Sequence, residues 1–358
     1  MEFTGTITSS KYLTYNSKKI DILKFVLAIL VVGIHTLDPE TMLRPILRIA
    51  VPMFFIISSY LFFLKQSNLY THIERRRALK SYVIRILKLY LFWFIIWLPL
   101  TVRDRGWASN FNIYTPLEII RGFLFGSTFK ASWFLMASLI GVAIVWYFTE
   151  RKVRDRWLLA LGVVAYSFCC LTSSYHNLLF SSPLMHKVYS NYALMFSDPI
   201  NSYPVSLLFV VLGKILAQSE IYVKRTKLVG TLLLSLIVVY VEFFLTSYFG
   251  FALFDDCFFF LAPVSLCLFI LVGQSKSRNT SFDTRGLRAS STIIYCSHAS
   301  MAKLIYLSGA FELFGVGNKT AAFYVLLFTF TLLSAILLSS MLLYLEKRKG
   351  LKVLQYSH

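Results

Sequence analysis

The chain has few charged residues for its size. Charged side chains make up 15% of its 358 residues, hydrophobic residues make up 57%, and the mean hydropathy is +0.66. Soluble domains are about 25% charged and about 45–50% apolar. The composition therefore excludes an ordinary soluble protein. Many successive apolar stretches of roughly 18 or more residues predict membrane-spanning helices instead.

Cysteine is also scarce, and its positions argue against two common roles. The five cysteines fall in predicted spans and show no metal-site spacing; they are Cys169, Cys170, Cys257, Cys267 and Cys296. We expect buried structural thiols, with neither a metal site nor disulfides.

Residues 1–17 lack the small-residue cleavage site of a signal peptide, so we expect the first span to be retained as an anchor.

Acidic residues are fewer than half as many as basic ones, 17 against 36, and the net charge is +19. In a soluble protein such an excess would suggest nucleic-acid binding. With the N-terminus placed in the cytoplasm, the inner segments hold 24 Lys and Arg and the outer segments hold 9. This asymmetry follows the positive-inside rule with both termini cytoplasmic. We therefore expect membrane lipid, and no nucleic acid, as a partner of the basic residues.

The apolar pattern predicts an all-α fold, a polytopic membrane helix bundle with about ten transmembrane helices. A cytoplasmic N-terminal segment covers residues 1–18, a transmembrane domain covers 19–345, and a basic cytoplasmic tail covers 346–358. The ten predicted spans lie near residues 19–37, 46–64, 81–101, 131–149, 157–174, 203–217, 228–248, 252–273, 289–308 and 321–345.

A histidine lies near the outer end of the first span. His35 follows Lys24 by eleven residues. At about 100° and 1.5 Å per residue, the two side chains share one helix face, roughly 16 Å apart. An imidazole can take a proton from a hydroxyl nucleophile, so His35 fits a general base. A structural histidine bonded to a neighbouring helix backbone fits the position equally well.

Three cations enter the membrane from the cytoplasmic side. Lys24 lies in the first span, while Arg85 and Lys88, three residues apart, share one face of the third. Side chains converging at this depth suit the phosphates of a nucleotide-bearing cosubstrate presented from the cytoplasm. The alternative is that the long side chains snorkel to the inner headgroups.

Several short motifs, in this order and spacing, resemble one family. They are Lys24 with His35, Val51-Pro52-Met53-Phe54-Phe55-Ile56-Ile57-Ser58-Ser59-Tyr60-Leu61, Arg85-Ile86-Leu87-Lys88-Leu89-Tyr90, Ser132-Trp133-Phe134-Leu135 and Ile294-Tyr295-Cys296-Ser297-His298. The chain resembles the membrane acyltransferase-3 family from about residue 17 to 345. The resemblance implies a ten-helix bundle that transfers an acyl group, usually acetyl, from cytoplasmic acyl-CoA to a hydroxyl of a lipid-linked or surface carbohydrate.

The resemblance also assigns roles by position. His35 matches the histidine on which the family's mechanism centres. Lys24 matches a basic position that is usually arginine, and Arg85 and Lys88 match a paired-arginine motif, so these three are the predicted ligands of the acyl-CoA phosphates. Ser59 stands where the family pattern has glycine.

Acyl transfer from a thioester develops an oxyanion that needs a hydrogen-bond donor. Ser58, Tyr60 and Trp133 carry donors and are candidate substrate-binding residues, although Tyr and Trp are also common interface anchors. His298 in the ninth span either orients His35, contacts the substrate, or is a satisfied buried histidine.

Three acids complete the candidate substrate-binding set. Glu242 and the pair Asp255-Asp256 fall in the seventh and eighth spans, where a carboxylate needs a partner or a water-filled cavity. One of them would hold His35 or bind sugar hydroxyls. For the aspartates, a position near water in the turn between the two spans is the alternative.

The leading hypothesis is a bacterial plasma-membrane O-acyltransferase that uses acetyl-CoA and no metal. It would transfer groups other than aminoacyl groups to a cell-surface polysaccharide or a lipid-linked glycan. A transporter or flippase without covalent chemistry suits ten spans and buried charges as well. No pair of Gly- or Pro-broken helices marks the two halves, however, as in many inverted-repeat carriers.

Overall fold

The computed structural model describes residues 17–219, 221–274, 283–313 and 315–349, and within these ranges the fold is all helical, without a strand. The predicted all-α class is thereby confirmed. Most of the predicted N-terminal segment 1–18 and of the predicted tail 346–358 lies outside the described residues.

Sixteen α-helices and one 3₁₀ turn, Pro199–Asn201, follow one another in the described ranges. The helices are α1 Ser17–Thr36, α2 Arg44–Leu47, α3 Ala50–Ser67, α4 His72–Arg105, α5 Trp107–Asn110, α6 Thr115–Phe125, α7 Trp133–Glu150, α8 Asp155–Leu171, α9 His176–Leu179, α10 Pro183–Phe196, α11 Tyr203–Gln218, α12 Arg225–Tyr248, α13 Leu261–Gln274, α14 Arg285–Leu307, α15 Ala310–Leu313 and α16 Ala321–Lys349.

Every predicted span overlaps a helix of this structure. Within the described part of the chain, five helical segments are long and apolar enough to cross a membrane, or six if the pair Pro183–Asn201 and Tyr203–Gln218, bent by 42°, is a single span. Large apolar side chains are exposed along α12, among them Leu234 and Ile237, as expected of a helix that faces lipid. The chain is therefore a helical membrane protein, while ten spans and cytoplasmic termini stay predictions.

The eighth span begins later than predicted. The expected helix starts near residue 252, but α13 starts at Leu261, so Asp255 and Asp256 lie in a non-helical segment that precedes it. Pro263 explains the difference, because proline lacks a backbone N–H and is tolerated only in the first turn of a helix. The predicted placement of the two aspartates within a helical span is wrong.

Helix α11 lies at the centre of the bundle and packs against α3, α7 and α8. Small residues allow α11 to pack closely against α3 and α8. A methyl group on Gly213 of α11 would lie 2.0 Å from Ser59 Oγ and 2.7 Å from the Ile56 carbonyl oxygen of α3. One on Gly162 of α8 would lie 2.8 Å from the Leu208 Cα of α11. Without a hydrophobic driving force between helices in lipid, such backbone proximity provides van der Waals contact.

Helix α1 forms a second packing group with α3, α14 and α16. This group places one face of α1, the face that carries Lys24 and His35, against the protein interior rather than lipid. Leu27, Ala28 and Val31 between them are buried. The buried helix face thus spaces a cation and an imidazole along one side of the bundle interior.

Candidate active site

A cavity of about 370 Å³, which we call the Lys24 cavity, lies beside the N-terminal half of α1 and brings three predicted site residues together. Lys24, Arg85 and Ser58 all line it. The Arg85 guanidinium stacks over the Tyr82 ring with its Cζ 5.5 Å from the ring centre. The Tyr82 hydroxyl lies 3.3 Å from Ser58 Oγ and 3.0 Å from the Ser138 hydroxyl. The largely apolar lining of the cavity therefore includes hydroxyl groups beside its cations.

Two further cations, absent from the sequence predictions, also line this cavity. Arg288 and Lys65 join Lys24 and Arg85, and Asp21 is the one acid among the lining residues. Arg288 makes a two-pronged ion pair with the buried Asp21, with N–O distances of 2.8 and 3.0 Å. Four cations against one carboxylate leave an excess positive charge of three, which favours a polyanionic ligand.

Two predicted site residues lie outside the lining of the Lys24 cavity. Lys88 is exposed on α4 and is absent from the lining, to which α4 contributes Ala78, Ser81, Tyr82, Arg85, Ile86 and Leu89. Tyr60 is 3% exposed and packs its ring against Phe269, with ring centres 5.0 Å apart. Neither side chain joins Lys24, Arg85 and Ser58 in the lining of this cavity.

Three aromatic rings close the far end of the Lys24 cavity. Phe54, Phe134 and Tyr295 line it and pack on one another, with ring centres 5.1 to 6.0 Å apart. We call them the aromatic partition. The Tyr295 hydroxyl donates to the carbonyl of Ala131 at 2.9 Å, which fixes the ring at the start of α7.

Beyond the aromatic partition lie two histidines in contact. The ring centres of Tyr295 and His298 are 5.9 Å apart, and those of His298 and His35 are 5.0 Å apart. The Nδ1 of His298 lies 2.7 Å from the Tyr295 carbonyl oxygen. Because a carbonyl only accepts, Nδ1 carries the proton. The buried Nε2 of His298 then presents a lone pair, and it has no hydrogen-bond partner within the described residues.

His35 itself is accessible from a second cavity, of about 290 Å³, which we call the His35 cavity. Trp133 lines it, as does Arg44 from the short helix α2. Arg44 also donates to the carbonyl of Ile34 at 3.0 Å. Consecutive residues at the start of α7 thus face different cavities, since Trp133 lines the His35 cavity and Phe134 lines the Lys24 cavity.

The two aspartates before α13 meet Arg48 at the wall of the His35 cavity. Arg48 forms an ion pair with Asp256, and both line the cavity. Its Nε also donates to the backbone carbonyl of Asp255 at 2.8 Å. Asp256 therefore reaches the His35 cavity as predicted but is engaged by an arginine. Asp255 lies outside the cavity lining.

Glu242 has a different setting from the one predicted. Its carboxylate accepts hydrogen bonds from the Tyr175 hydroxyl at 2.9 Å and from the backbone N–H groups of Phe259 and Phe260 at 3.1 Å each. These amides immediately precede α13, so the buried carboxylate satisfies donors at a helix start. Glu242 lies outside the lining of both cavities, and its contacts are those of a residue that joins α12 to α13.

No group of three or more metal-binding side chains forms among the residues that the structure describes. All five cysteines are buried free thiols. The described site therefore consists of a cationic cavity, an aromatic partition, a histidine pair and a second cavity, in that order along α1. This arrangement suits a reaction between an anionic reactant entering from one end of the bundle and a second reactant entering from the other.

Comparison with known proteins gives the class of this site, a membrane acyltransferase. A family model described as an acyltransferase domain matches residues 17–340, and the chain belongs to the acyltransferase-3 family. The resemblance found in the sequence is thereby confirmed.

Two curated relatives are both named amino-acid racemase and come from Enterococcus faecalis. One is 23% identical over 300 residues, which cover 80% of this chain and 41% of the relative. The other is 26% identical over 184 residues, which cover 49% of this chain and 26% of the relative. The chain therefore matches less than half the length of these relatives. No solved structure matches the chain.

Proposed function

We propose that the protein is a bacterial plasma-membrane O-acyltransferase that moves an acyl group, acetyl in the simplest case, from cytoplasmic acyl-CoA to a hydroxyl of a cell-surface polysaccharide or lipid-linked glycan. The observation that carries the proposal is the arrangement of two cavities on either side of the aromatic partition, with the His35–His298 pair on the side of the second cavity. One is strongly cationic and the other contains the accessible imidazole. Family membership supports acyl transfer; donor and acceptor are part of the proposal.

The Lys24 cavity is the proposed donor site. Coenzyme A carries a diphosphate and a third phosphate, and Lys24, Arg85 and Arg288 offer charge-assisted hydrogen bonds to such groups. The pantetheine arm would extend along α1 toward the histidines. The rise from Lys24 to His35, roughly 16 Å, is within the reach of that arm.

Chemistry would take place at His35. The acceptor hydroxyl, entering through the His35 cavity, gives its proton to the imidazole as its oxygen attacks the thioester carbonyl. The C–S bond breaks, an oxygen ester forms, and the CoA thiolate leaves and takes up the proton. Trp133 lines the same cavity as His35 and is our proposed hydrogen-bond donor to the developing oxyanion, with Arg44 and Arg48 as cationic donors beside it.

The test is ester formation by the purified protein in liposomes with radiolabelled acetyl-CoA and extracted surface glycan. We expect His35→Gln to lower the rate of ester formation by about 10²–10⁴-fold, the usual contribution of a general base. His186→Gln, at an exposed histidine of α10, is the matched control and keeps the wild-type rate. Ester formation by His35→Gln at the wild-type rate would contradict the mechanism.

The same preparation separates the competing functions. A transporter or flippase moves label across the bilayer but leaves no ester. The name of the two relatives calls for a further measurement, the interconversion of L- and D-amino acids by the purified chain. The proposal expects no racemisation, and racemisation without ester formation would overturn it.

A further inference from the structure

A third cavity, of about 440 Å³, takes no part in the proposed reaction. It forms where the C-terminal end of α4, the segment before α7 and the later half of α14 meet. We call it the Lys130 cavity. Its polar lining consists of Thr101, Asp104, Arg105, Ser127, Thr128, Lys130, Ser300 and Lys303.

The Lys130 cavity has an excess of positive charge. The Asp104 carboxylate is shared between two amines, 3.9 Å from Lys130 Nζ and 3.7 Å from Lys303 Nζ. Arg105 is the third cation, and it donates to the Ser127 carbonyl at 2.8 Å. Three cations against one acid leave an excess of two, and the long N–O distances leave both amines able to bind a further anion.

The placement of these cations runs against the general charge distribution of the chain. On the predicted topology the outer side carries only nine of the 36 Lys and Arg residues. Arg105 and Lys130 lie in one outer segment and Lys303 lies toward the outer end of the ninth predicted span, and the three converge on one cavity. The positive-inside rule disfavours Lys and Arg on the outer side of the membrane. Membrane orientation therefore does not explain why these three cations converge on one cavity.

A short backbone segment connects the Lys130 cavity to the reaction site. Lys130 lies in the Lys130 cavity, and Trp133, three residues later, lines the His35 cavity. Between them, Ala131 has a left-handed backbone conformation, φ +61°, and its carbonyl accepts from Tyr295. The Tyr295 ring in turn contacts His298, with ring centres 5.9 Å apart. The Lys130 cavity therefore adjoins the segment that holds Tyr295 against His298 and carries Trp133 into the His35 cavity.

We propose that the Lys130 cavity binds an acidic group of the acceptor, a carboxylate or a phosphate on the glycan, and that the acceptor is accordingly an acidic saccharide. This inference rests on the proposed function, because it names the class of acceptor for the same site. The acid would be held by Lys130, Lys303 and Arg105, while a hydroxyl of the same or the adjoining sugar reaches His35.

Binding is measured without acyl-CoA, so that failure of this inference and failure of acyl transfer are distinguishable. The full chain is placed in nanodiscs of zwitterionic lipid and titrated with oligogalacturonate, with phosphorylated malto-oligosaccharide and with neutral malto-oligosaccharide of the same length. We expect at least one acidic saccharide to bind about tenfold or more tightly than the neutral one, with a preference that weakens as salt is added.

Two variants locate the binding. Lys130→Gln combined with Lys303→Gln abolishes the acidic preference, whereas Arg103→Gln, at an exposed arginine of α4 outside the cavity lining, keeps it. Equal binding of neutral and acidic saccharides by the wild type, or an acidic preference that survives in the double variant, overturns the proposal. If phosphatidylglycerol in the nanodisc removes the preference, a lipid headgroup occupies the cavity and the proposal is wrong.

Discussion

At the scale of single residues, the two histidines that are in contact, His35 and His298, differ in their surroundings. His298 is fully buried, and its Nδ1 lies against backbone carbonyls within its own helix. His35 is accessible from a cavity. A proton acceptor must meet its substrate, so His35 fits the reacting base, while His298 with its fixed tautomer fits a positioning residue behind it.

The cations of the first and third predicted spans provide a test at the same scale. We expect Arg85→Gln and Lys24→Gln each to raise the KM for acyl-CoA about tenfold or more, because each removes a charged donor from the Lys24 cavity. Lys88→Gln, three residues from Arg85 but exposed outside the cavity lining, should leave the KM unchanged. Steady-state kinetics over a range of acyl-CoA concentrations measure all three.

A contrary result is equally informative. If Lys88→Gln raised the KM as much as Arg85→Gln, the paired-cation interpretation of the sequence would be restored. The Lys24 cavity would then not be the complete donor site. A KM that none of the three substitutions changes would separate the cationic cavity from donor binding altogether.

Polar residues inside apolar helices were the signal that located the site from sequence, and that signal is incomplete. It found His35, Lys24 and Arg85, each of which reaches a cavity. It missed Arg288 and Arg48, whose partners Asp21 and Asp256 are distant in sequence. A pairing between residues 21 and 288 depends on which helices become neighbours, and hydropathy contains no such information.

At the scale of helices, the close packing of α3 against α11 explains how the fold accommodates Ser59, which stands where the family pattern has glycine. Ser59 is fully buried and its hydroxyl donates to the Phe55 carbonyl at 2.7 Å. The glycine at this crossing is Gly213 on α11, which faces Ser59. The close packing of the two helices is thus retained with the small residue on the opposite helix.

Gly213→Ala should therefore destabilise the bundle. The added methyl group would lie 2.0 Å from Ser59 Oγ and 2.7 Å from the Ile56 carbonyl oxygen, so the helices must separate. We expect a loss of about 1–3 kcal/mol, the usual range for overpacking, measured as a lower melting temperature in detergent. Adding Ser59→Gly should restore part of the loss, because the contacts with the Ile56 carbonyl oxygen at 2.7 Å and the Tyr60 backbone nitrogen at 2.9 Å then remain.

The control for this substitution is Gly230→Ala on α12, where an added methyl group meets no atom within 4 Å. We expect it to leave the melting temperature unchanged or to raise it slightly, since alanine favours a helix over glycine. Equal destabilisation by the two substitutions would show that the α3–α11 approach is not the cause.

Helix positions followed from hydropathy because an apolar stretch determines its own secondary structure in a membrane. The start of α13 did not follow from hydropathy. Pro263, together with the hydrogen bonds that the Phe259 and Phe260 amides donate to Glu242, places the start of this helix later in the chain. The sequence presents Glu242 as an unexplained carboxylate inside an apolar stretch. Only the packing of α12 beside α13 shows that its partners are backbone amides.

At the scale of the whole molecule, the proposed reaction takes its two substrates from opposite sides of the membrane. It must do so without opening a water-filled path between the two sides. The Lys24 cavity and the His35 cavity are separated by the aromatic partition of Phe54, Phe134 and Tyr295. A thioester must reach His35 past these rings, yet water from the acceptor side must not reach the thioester first. On the proposed mechanism, the partition would set the balance between transfer to the acceptor and hydrolysis of the thioester.

Phe134→Ala should shift that balance. Phe134 contacts both other rings of the partition, and its neighbour Trp133 lines the opposite cavity, so truncation connects the two spaces. We expect acyl-CoA hydrolysis without acceptor to rise several-fold, measured as free thiol released, while the KM for acyl-CoA stays near that of the wild type. The matched control, Phe62→Ala, removes a ring that lines the Lys24 cavity beside Tyr82, away from the partition, and should not raise hydrolysis. If both truncations raise hydrolysis equally, the rings near Phe134 do not separate donor from water, and the barrier between the two sides of the membrane lies elsewhere in the bundle.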